Sequence, residues 1–351
     1  MNQEINIAGK TISYNSPSYI IAEMSANHNM DYNHAMEIIK QAKEAGADAV
    51  KLQTYTADTI TLDCNSECFR TQSDSLWSGM TLYELYKMAY TPWEWQPKLK
   101  EYAESIGITL FSSPFDLTAV DFLEKMQVPA YKVASFEIND IPLIKKIAKT
   151  GKPIFISTGI AYLSDIELAL KACQEEGNQK VILLKCTSAY PAPYEEMNLK
   201  VIPNMTETFQ CMTGLSDHTL GDETAVAAVA LGAKVIEKHF TLKRSDGGAD
   251  SDFSMEAEEF AKMVQKIRNV EKAMGSATYQ LTEKQINARS GSRSLFAVKP
   301  IKKGEVLTEV NVRSIRPGIG LHTKYYEEII GKKASCDIDR GTPLEWKYIQ
   351  L

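Results

Sequence analysis

The chain of 351 residues is 44% hydrophobic and 24% charged, which places it among ordinary folded proteins and far from disordered ones. A net charge of −6 without a long basic run excludes a phosphate-tracking nucleic-acid binder. No apolar run approaches the roughly 18 residues of a membrane span, and MNQEINIAGK lacks the pattern of a signal peptide, so a soluble, cytoplasmic protein without a membrane partner is expected.

From residue 19 to residue 241 short β-branched runs alternate with amphipathic helical stretches. The runs are YIIAEM (19–24), AVKLQT (49–54), TLFSSP (109–114), AYKVAS (130–135), PIFIST (153–158), VILLKCT (181–187), QCMTGLS (210–216) and VIEKHFT (235–241). Helical patterns between them include NHAMEIIKQAKEAGA (33–47), LTAVDFLEKM (117–126) and DETAVAAVALGA (222–233). Eight strands alternating with helices predict a (β/α)8 TIM barrel over residues 1–280. The longest connection, residues 55–108, is expected to add a helix beside the barrel mouth. A polar linker, 281–293, leads to a small, mostly β domain over 294–351, in which KKGEVL (302–307) and DRGTPL (339–344) echo one another as two related turns. The six cysteines form no paired CxxC motifs, so thiols are expected rather than disulfides.

Active sites of closed parallel barrels gather at the carboxyl ends of the strands. Nearly every predicted strand here ends in polar residues: Glu23; Lys51 and Gln53; Ser112 and Ser113; Lys132, Ser135 and Glu137; Ser157 and Thr158; Lys185 and Thr187; Ser216 and His218; Glu237 and His239. Period-two alternation puts Lys51 with Gln53, Ser216 with His218, and Glu237 with His239 on shared faces. Each has a plain structural reading, since a strand-end lysine can snorkel, a serine can cap a helix and a glutamate can pair with a lysine. Agreement of eight strands on one rim favours a site. Lysines and hydroxyls there suit a small phosphorylated, carboxylated ligand. Two imidazoles from adjacent strands make half of a metal site, suited to manganese, iron, cobalt or zinc. A Schiff-base aldolase using Lys132 or Lys185 is the competing enzyme reading.

The stretches IAEMSANHN (21–29), VKLQTYTADTITLD (50–63), FSSPFD (111–116), YKVASFEI (131–138), STG (157–159), GLSDHT (214–219) and EKHFTL (237–242) resemble the sialic acid synthase family, and RSLFAVKPIKKGEVLTEVNVRSIRPGIG (293–320) resembles its antifreeze-like (β-clip) domain. LWSGMTLYELYKMAYTPWEW (76–95) and YKVASFEINDIPLI (131–144) are most similar to the pseudaminic acid synthases of that family, with neuraminate or legionaminate synthesis as the alternative. The resemblance implies an enzyme that condenses phosphoenolpyruvate with an acetamido-sugar, 2,4-diacetamido-2,4,6-trideoxy-L-altrose. It also implies that Lys51, Lys132, Ser135, Ser157 and Ser216, with Ser112 or Ser113, hold the phosphate and carboxylate of phosphoenolpyruvate. His218 and His239 match ligands of a divalent metal, usually manganese (Mn2+). Glu23, Gln53, Tyr190 and Asp250 match positions around the sugar and the metal water, and Glu137 a catalytic-site glutamate. Arg316 matches an arginine that one subunit inserts into its partner's barrel, which implies a domain-swapped homodimer. Where neuraminate synthases carry asparagine in a CTNxYP motif this chain has Ser188, which fits a different acceptor or a changed phosphate contact. An ice-binding protein is disfavoured, because the charged, proline-containing tail lacks regular threonine rows.

Overall fold

Eight strands follow one another in the order expected: β1 (Tyr19–Glu23), β2 (Ala49–Thr54), β3 (Thr109–Pro114), β4 (Tyr131–Val133), β5 (Ile154–Ser157), β6 (Val181–Cys186), β7 (Met212–Asp217) and β8 (Val235–Thr241). In the computed structural model, which describes residues 4–71 and 77–350, each strand pairs in parallel with the next. β8 pairs with both β7 and β1, so the sheet closes on itself as a TIM barrel. Leu76, the first residue of the LWSG stretch, lies outside the described residues.

The helices are α1 (Tyr32–Glu44), α2 (Leu82–Ala89), α3 (Gln96–Ser105), α4 (Leu117–Lys125), α5 (Ile141–Ala148), α6 (Leu163–Glu175), α7 (Val201–Phe209), α8 (Glu223–Ala230) and α9 (Ala257–Met274). Local chemistry explains α1. Asp31 accepts from the free amides of Asn33 and His34 at its start, and Ala35, Ile38, Ile39 and Ala42 form its buried stripe. That stripe belongs to the same apolar cluster as Ile20, Ala22, Val50 and Leu52, the outward residues of β1 and β2. Each fully buried isoleucine or leucine contributes about 1.5–3 kcal/mol. The connection after β2 holds more than one helix: a single turn at Ala57–Ile60, then α2 and α3.

The alternate residues point inward. Ile21, Ala49, Phe111 and Phe155 fill the lower lumen, with the two phenylalanine rings stacked at 5.4 Å. An antiparallel hairpin, Ile5–Ile7 with Lys10–Ile12, buries Ile5, Ile7 and Ile12 in this cluster and covers the end where the strands begin. Only the opposite end is left for polar side chains.

By its contacts the chain forms two compact units, Met1–Gly275 and Ser276–Leu351. Residues 276–293, read from sequence as barrel end and linker, group with the second unit, where Thr282 caps a short helix, Glu283–Ala288. There β9 (Ser294–Ala297) and β10 (Val312–Ile315) pair antiparallel, and isolated bridges such as Ile301 with Ile338 and Val306 with Lys333 extend the pairing. The two echoed turns share a mechanism. Gly304 (φ +80°) and Gly341 (φ +90°) adopt the left-handed backbone that glycine favours, and Leu307 and Leu344 both enter this unit's core.

Candidate active site

At the carboxyl ends of the strands the lumen changes from apolar to ionic. Lys51 of β2 lies 3.0 Å from the Glu23 carboxylate of β1 and 3.3 Å from that of Glu237 on β8, and it donates to Ser113 Oγ at 3.3 Å. Lys132 of β4 lies 3.5 Å from Glu237, which also accepts from Ser216 Oγ at 3.1 Å. All four charged side chains are almost fully buried. Such a cluster persists because each charge has an opposite partner within contact distance.

Burial and charge compete differently at the two glutamates. Burial pushes the Glu23 carboxyl up to about 7, against the pull of Lys51 and with help from neighbouring Glu237. At Glu237 burial acts the same way, but Lys132 and Lys51 together outweigh it and hold the carboxyl well below the usual range. Burial also lowers Lys132, whereas at Lys51 the two carboxylates win and its ammonium is stabilised. A third carboxyl, Glu137, follows β4 on the short turn Ser135–Glu137; burial raises it to about 7, and its Oε2 has no hydrogen-bond partner.

Next to this cluster lies a row of polar groups from β1, β2 and the loop after β8. Gln53 donates to Glu23 at 3.1 Å and to Ser25 Oγ at 3.0 Å, and Ser25 hydrogen-bonds Asp250. Burial raises the Asp250 carboxyl. Asn27 fastens the loop after β1 to the end of β8 and the segment beyond it by donating to Phe240 O at 2.9 Å and Ser254 Oγ at 2.8 Å.

A cradle of hydroxyls forms on the other side. Gly159 N donates to Ser135 Oγ at 3.2 Å, while Ser157 Oγ and Ser188 Oγ are buried without partners. A Cβ at residue 159 would overlap the Ser188 and Ser135 hydroxyls and approach Cys186 Sγ to 3.1 Å. Unfilled hydroxyls beside a position that only glycine fits are what an oxyanion-rich ligand needs. An open cavity of about 850 Å³, lined in part by Gly159, Lys185, Cys186, Lys200 and Asn204, borders the cradle.

The two histidines face one another with ring centroids 5.3 Å apart, and Tyr190 packs 4.3 Å from His218. His218 Nδ1 donates to Thr187 O at 2.9 Å, which leaves Nε2 as the free nitrogen. His239 Nδ1 is buried without a partner, and burial holds that ring well below its usual pKa and therefore neutral. Burial lowers His218 too, but Cys186, the Thr187 carbonyl and Asp217 outweigh it and raise that ring, so a cation there would compete with a proton. Two facing imidazoles with free nitrogens otherwise fit a divalent cation. Among the described residues no group of three or more His, Cys, Asp or Glu completes such a site, so water and substrate would supply the other positions.

The structure therefore brings Glu23, Lys51, Gln53, Ser113, Lys132, Ser135, Glu137, Ser157, Ser188, Tyr190, Ser216, His218, His239 and Asp250 to the upper end of one barrel. Ser112 is different. Alternation along β3 turns it to the helix layer, where its Oγ lies 2.7 Å from that of Thr54, which donates in turn to Gln96 of α3. Lys185 also points away from the lumen lysines, toward Cys186 O and Thr187 Oγ1. Arg316 is exposed on the second unit, directly after β10. Two residues given no role from sequence are central here. Glu237 shares a face with His239 by alternation, and Ser25 stands two residues beyond Glu23 with φ +47°, a left-handed conformation costly for serine and held by its two hydrogen bonds.

Comparison with known proteins identifies the family. Residues 38–279 match the NeuB family and residues 292–350 the SAF domain. The chain is 48% identical over 327 residues to the pseudaminic acid synthase of Campylobacter jejuni strain 81-176, covering 93% of this chain and 95% of that one. It is 45% identical to the pseudaminic acid synthase of Helicobacter pylori over 329 residues, 93% of this chain and 96% of the relative. Among solved structures, N-acetylneuraminic acid synthetase of Leptospira borgpetersenii in complex with citrate superimposes with a TM-score of 0.72 at 32% identity, over 82% of this chain and 97% of that one. With more than half of its length matched and relatives this similar over nearly all of it, the chain belongs to the NeuB family.

Proposed function

We propose that the protein is a pseudaminic acid synthase, a transferase that condenses phosphoenolpyruvate with 2,4-diacetamido-2,4,6-trideoxy-L-altrose and water to give pseudaminic acid and phosphate. The observation that carries the choice of acceptor is the 45–48% identity to pseudaminic acid synthases. Identity falls to 38% with the N,N'-diacetyllegionaminic acid synthase of Campylobacter jejuni and to 34% with human N-acetylneuraminate-9-phosphate synthase.

Lys51 and Lys132 bind the anionic ends of phosphoenolpyruvate, and Ser135, Ser157, Ser188 and Ser216 orient it within the cradle that Gly159 leaves open. C3 of phosphoenolpyruvate forms a bond to the sugar aldehyde carbon as the C=O π pair moves onto the oxygen, which takes a proton from solvent. Water adds to the cationic C2 while Glu23 or Glu137 accepts its proton; burial raises both carboxyls to about 7, where a base works well near neutrality. The tetrahedral adduct then expels phosphate by C–O cleavage, the C2 hydroxyl proton passing to the leaving phosphate as C2=O forms, and the two lysines stabilise the departing anion. Gln53, Tyr190 and Asp250 hold the sugar. His218 and His239 would hold a divalent cation, proposed as Mn2+, which when bound supplies Lewis-acid polarisation of the sugar carbonyl.

We further propose a domain-swapped homodimer in which Arg316 reaches the partner's barrel. Supporting this, the rim carries large exposed apolar side chains, Phe136, Ile160, Tyr162, Leu163 and Leu220, that a lone barrel leaves in water. Ile319, three residues after Arg316, is likewise 64% exposed. Six free thiols fit a reducing, cytoplasmic setting. No helix among the described residues is long and apolar enough to cross a membrane.

The test is phosphate release from phosphoenolpyruvate with a panel of acceptors: the L-altrose derivative, its legionaminate-type stereoisomer and N-acetylmannosamine. Release fastest with the L-altrose derivative is expected. Faster release with another sugar overturns the acceptor, and no release with any overturns the synthase reading. Borohydride trapping of a lysine-linked product would revive the aldolase.

A further inference from the structure

Two ladder rungs at the end of β7 and β8 are continued by the facing histidines just beyond, and the three pairs alternate between the inside and the outside of the barrel. Ser216 meets Glu237 inside at 3.1 Å, and His218 faces His239 inside with ring centroids 5.3 Å apart. Between these two lies an outward rung, in which Lys238 Nζ sits 2.7 Å from Asp217 Oδ2 directly across the ladder.

The setting of this outward pair is unusual for the barrel. Its side chains are 1% and 0% exposed, in a layer otherwise filled by residues such as Ile20, Val50, Leu52, Leu215, Ile236 and Phe240. Among the described residues the other ion pairs buried on both sides, Lys51–Glu23, Lys51–Glu237 and Lys132–Glu237, all lie in the lumen. A buried ion pair adds little net stability over a well-packed apolar pair, so stability alone does not account for it.

Its remaining bonds show what it constrains. Asp217 accepts from Thr219 N at 3.0 Å, Thr219 Oγ1 at 2.9 Å and Thr224 Oγ1 of α8 at 2.7 Å. Lys238 Nζ also donates to Thr219 O at 2.6 Å. The backbone is thereby tied on both sides of His218, at Asp217 and Thr219, and immediately before His239, at Lys238. The attachment to α8 anchors the whole cluster to the helix layer.

We propose that Asp217 and Lys238 are positioning residues that set the separation and orientation of the two imidazoles, and through them the affinity of the pair for a divalent cation. This rests on the reading of His218 and His239 as a metal-holding pair. Neither the Asp217 nor the Lys238 side chain lies in the lumen, so the pair acts through the inward rungs on either side, Ser216–Glu237 and the two histidines.

The experiment titrates the full, metal-free chain with Co2+ and follows visible absorption, with the melting temperature measured in parallel. D217N/K238M leaves no unpaired buried charge and keeps an acceptor for Thr219 N, so it is expected to melt close to wild type. It should nevertheless bind Co2+ about 10–100-fold more weakly, the range seen when groups that orient metal ligands are removed. T224V, which takes away a single donor to Asp217, is expected to weaken binding several-fold. Wild type that binds no Co2+ overturns the histidine reading and the proposal with it. Wild-type affinity in folded D217N/K238M, or in T224V should the double variant not fold, overturns the positioning role and leaves the histidine reading standing.

Discussion

Lys51 sits between two carboxylates that carry different proton affinities because their surroundings differ by one cation. Glu237 faces both lysines and stays ionised, whereas Glu23 faces one lysine and a like charge, so burial dominates there. The sign of the resulting pH effect follows. Glu23 and Glu137 are raised above their unfolded values, so the folded chain holds those protons to higher pH and loses their stabilising contribution as pH rises from about 4.5 through about 7. Activity runs the other way, since the base must be free. The turnover rate is expected to climb between about pH 6 and 8 as these two carboxyls ionise together. A profile flat over that interval would refute the general-base assignment. At Gly159 the expectation is steric. Gly159→Ala fills the hydroxyl cradle, so kcat/KM for phosphoenolpyruvate should fall by about 10²-fold or more, with a melting temperature lowered by overpacking that costs about 1–3 kcal/mol, but with the chain still folded at assay temperature. Undiminished kcat/KM would show that the phosphate lies elsewhere.

Elements carry stability independently of this chemistry. Asp31→Ala removes the acceptor for the first free amides of α1 and should cost about 1 kcal/mol in urea unfolding. A loss well under that would mean that packing of Ala35, Ile38 and Ile39 sets the helix start unaided. The strands were legible from their β-branched runs, and all eight occur within two residues of the predicted limits, β7 being displaced from 210–216 to Met212–Asp217. The helix ends were less so. α8 stops at Ala230 although LGA continues the apolar pattern, because Gly232 at φ +99° turns the chain toward β8. Alternation also read most of the inward rim, including the Lys51–Gln53 and Glu237–His239 faces. It could not choose between Ser112 and Ser113, since adjacent serines differ only in which face the register assigns them. Nor could it reveal Ser25, whose place depends on a left-handed turn and on Asp250, 225 residues away. Lys238 shows the reverse: sequence marks it as the outward neighbour of His239, and only the three-dimensional bonds to Asp217 and Thr219 make it notable.

At the scale of the molecule, the exposed rim side chains and Arg316 lead to a complementation experiment. Arg316→Ala and Lys51→Met chains should each be nearly inactive. Mixed and allowed to exchange, they form heterodimers in which one barrel keeps its own Lys51 and receives the intact arginine of its partner. Activity should reappear at roughly a quarter of the wild-type level, the statistical share of such sites after random exchange. Absence of recovery, with exchange verified by mass, would rule out the swapped arrangement.

The lumen cluster counts two cationic lysines against Glu23 and Glu237, so with both carboxylates ionised it is close to electrically neutral before any ligand arrives. A phosphate and a carboxylate entering that space bring a surplus of negative charge that Lys51 and Lys132, already engaged, do not fully offset. A proton held by Glu23 would offset part of that surplus, which leaves Glu137 as the carboxylate that accepts the proton of water. Substrate loading is thus expected to take up a proton. The affinity for the three-carbon substrate should depend on acidity through the cluster as well as through the substrate's own phosphate, whose second ionisation lies at about pH 6.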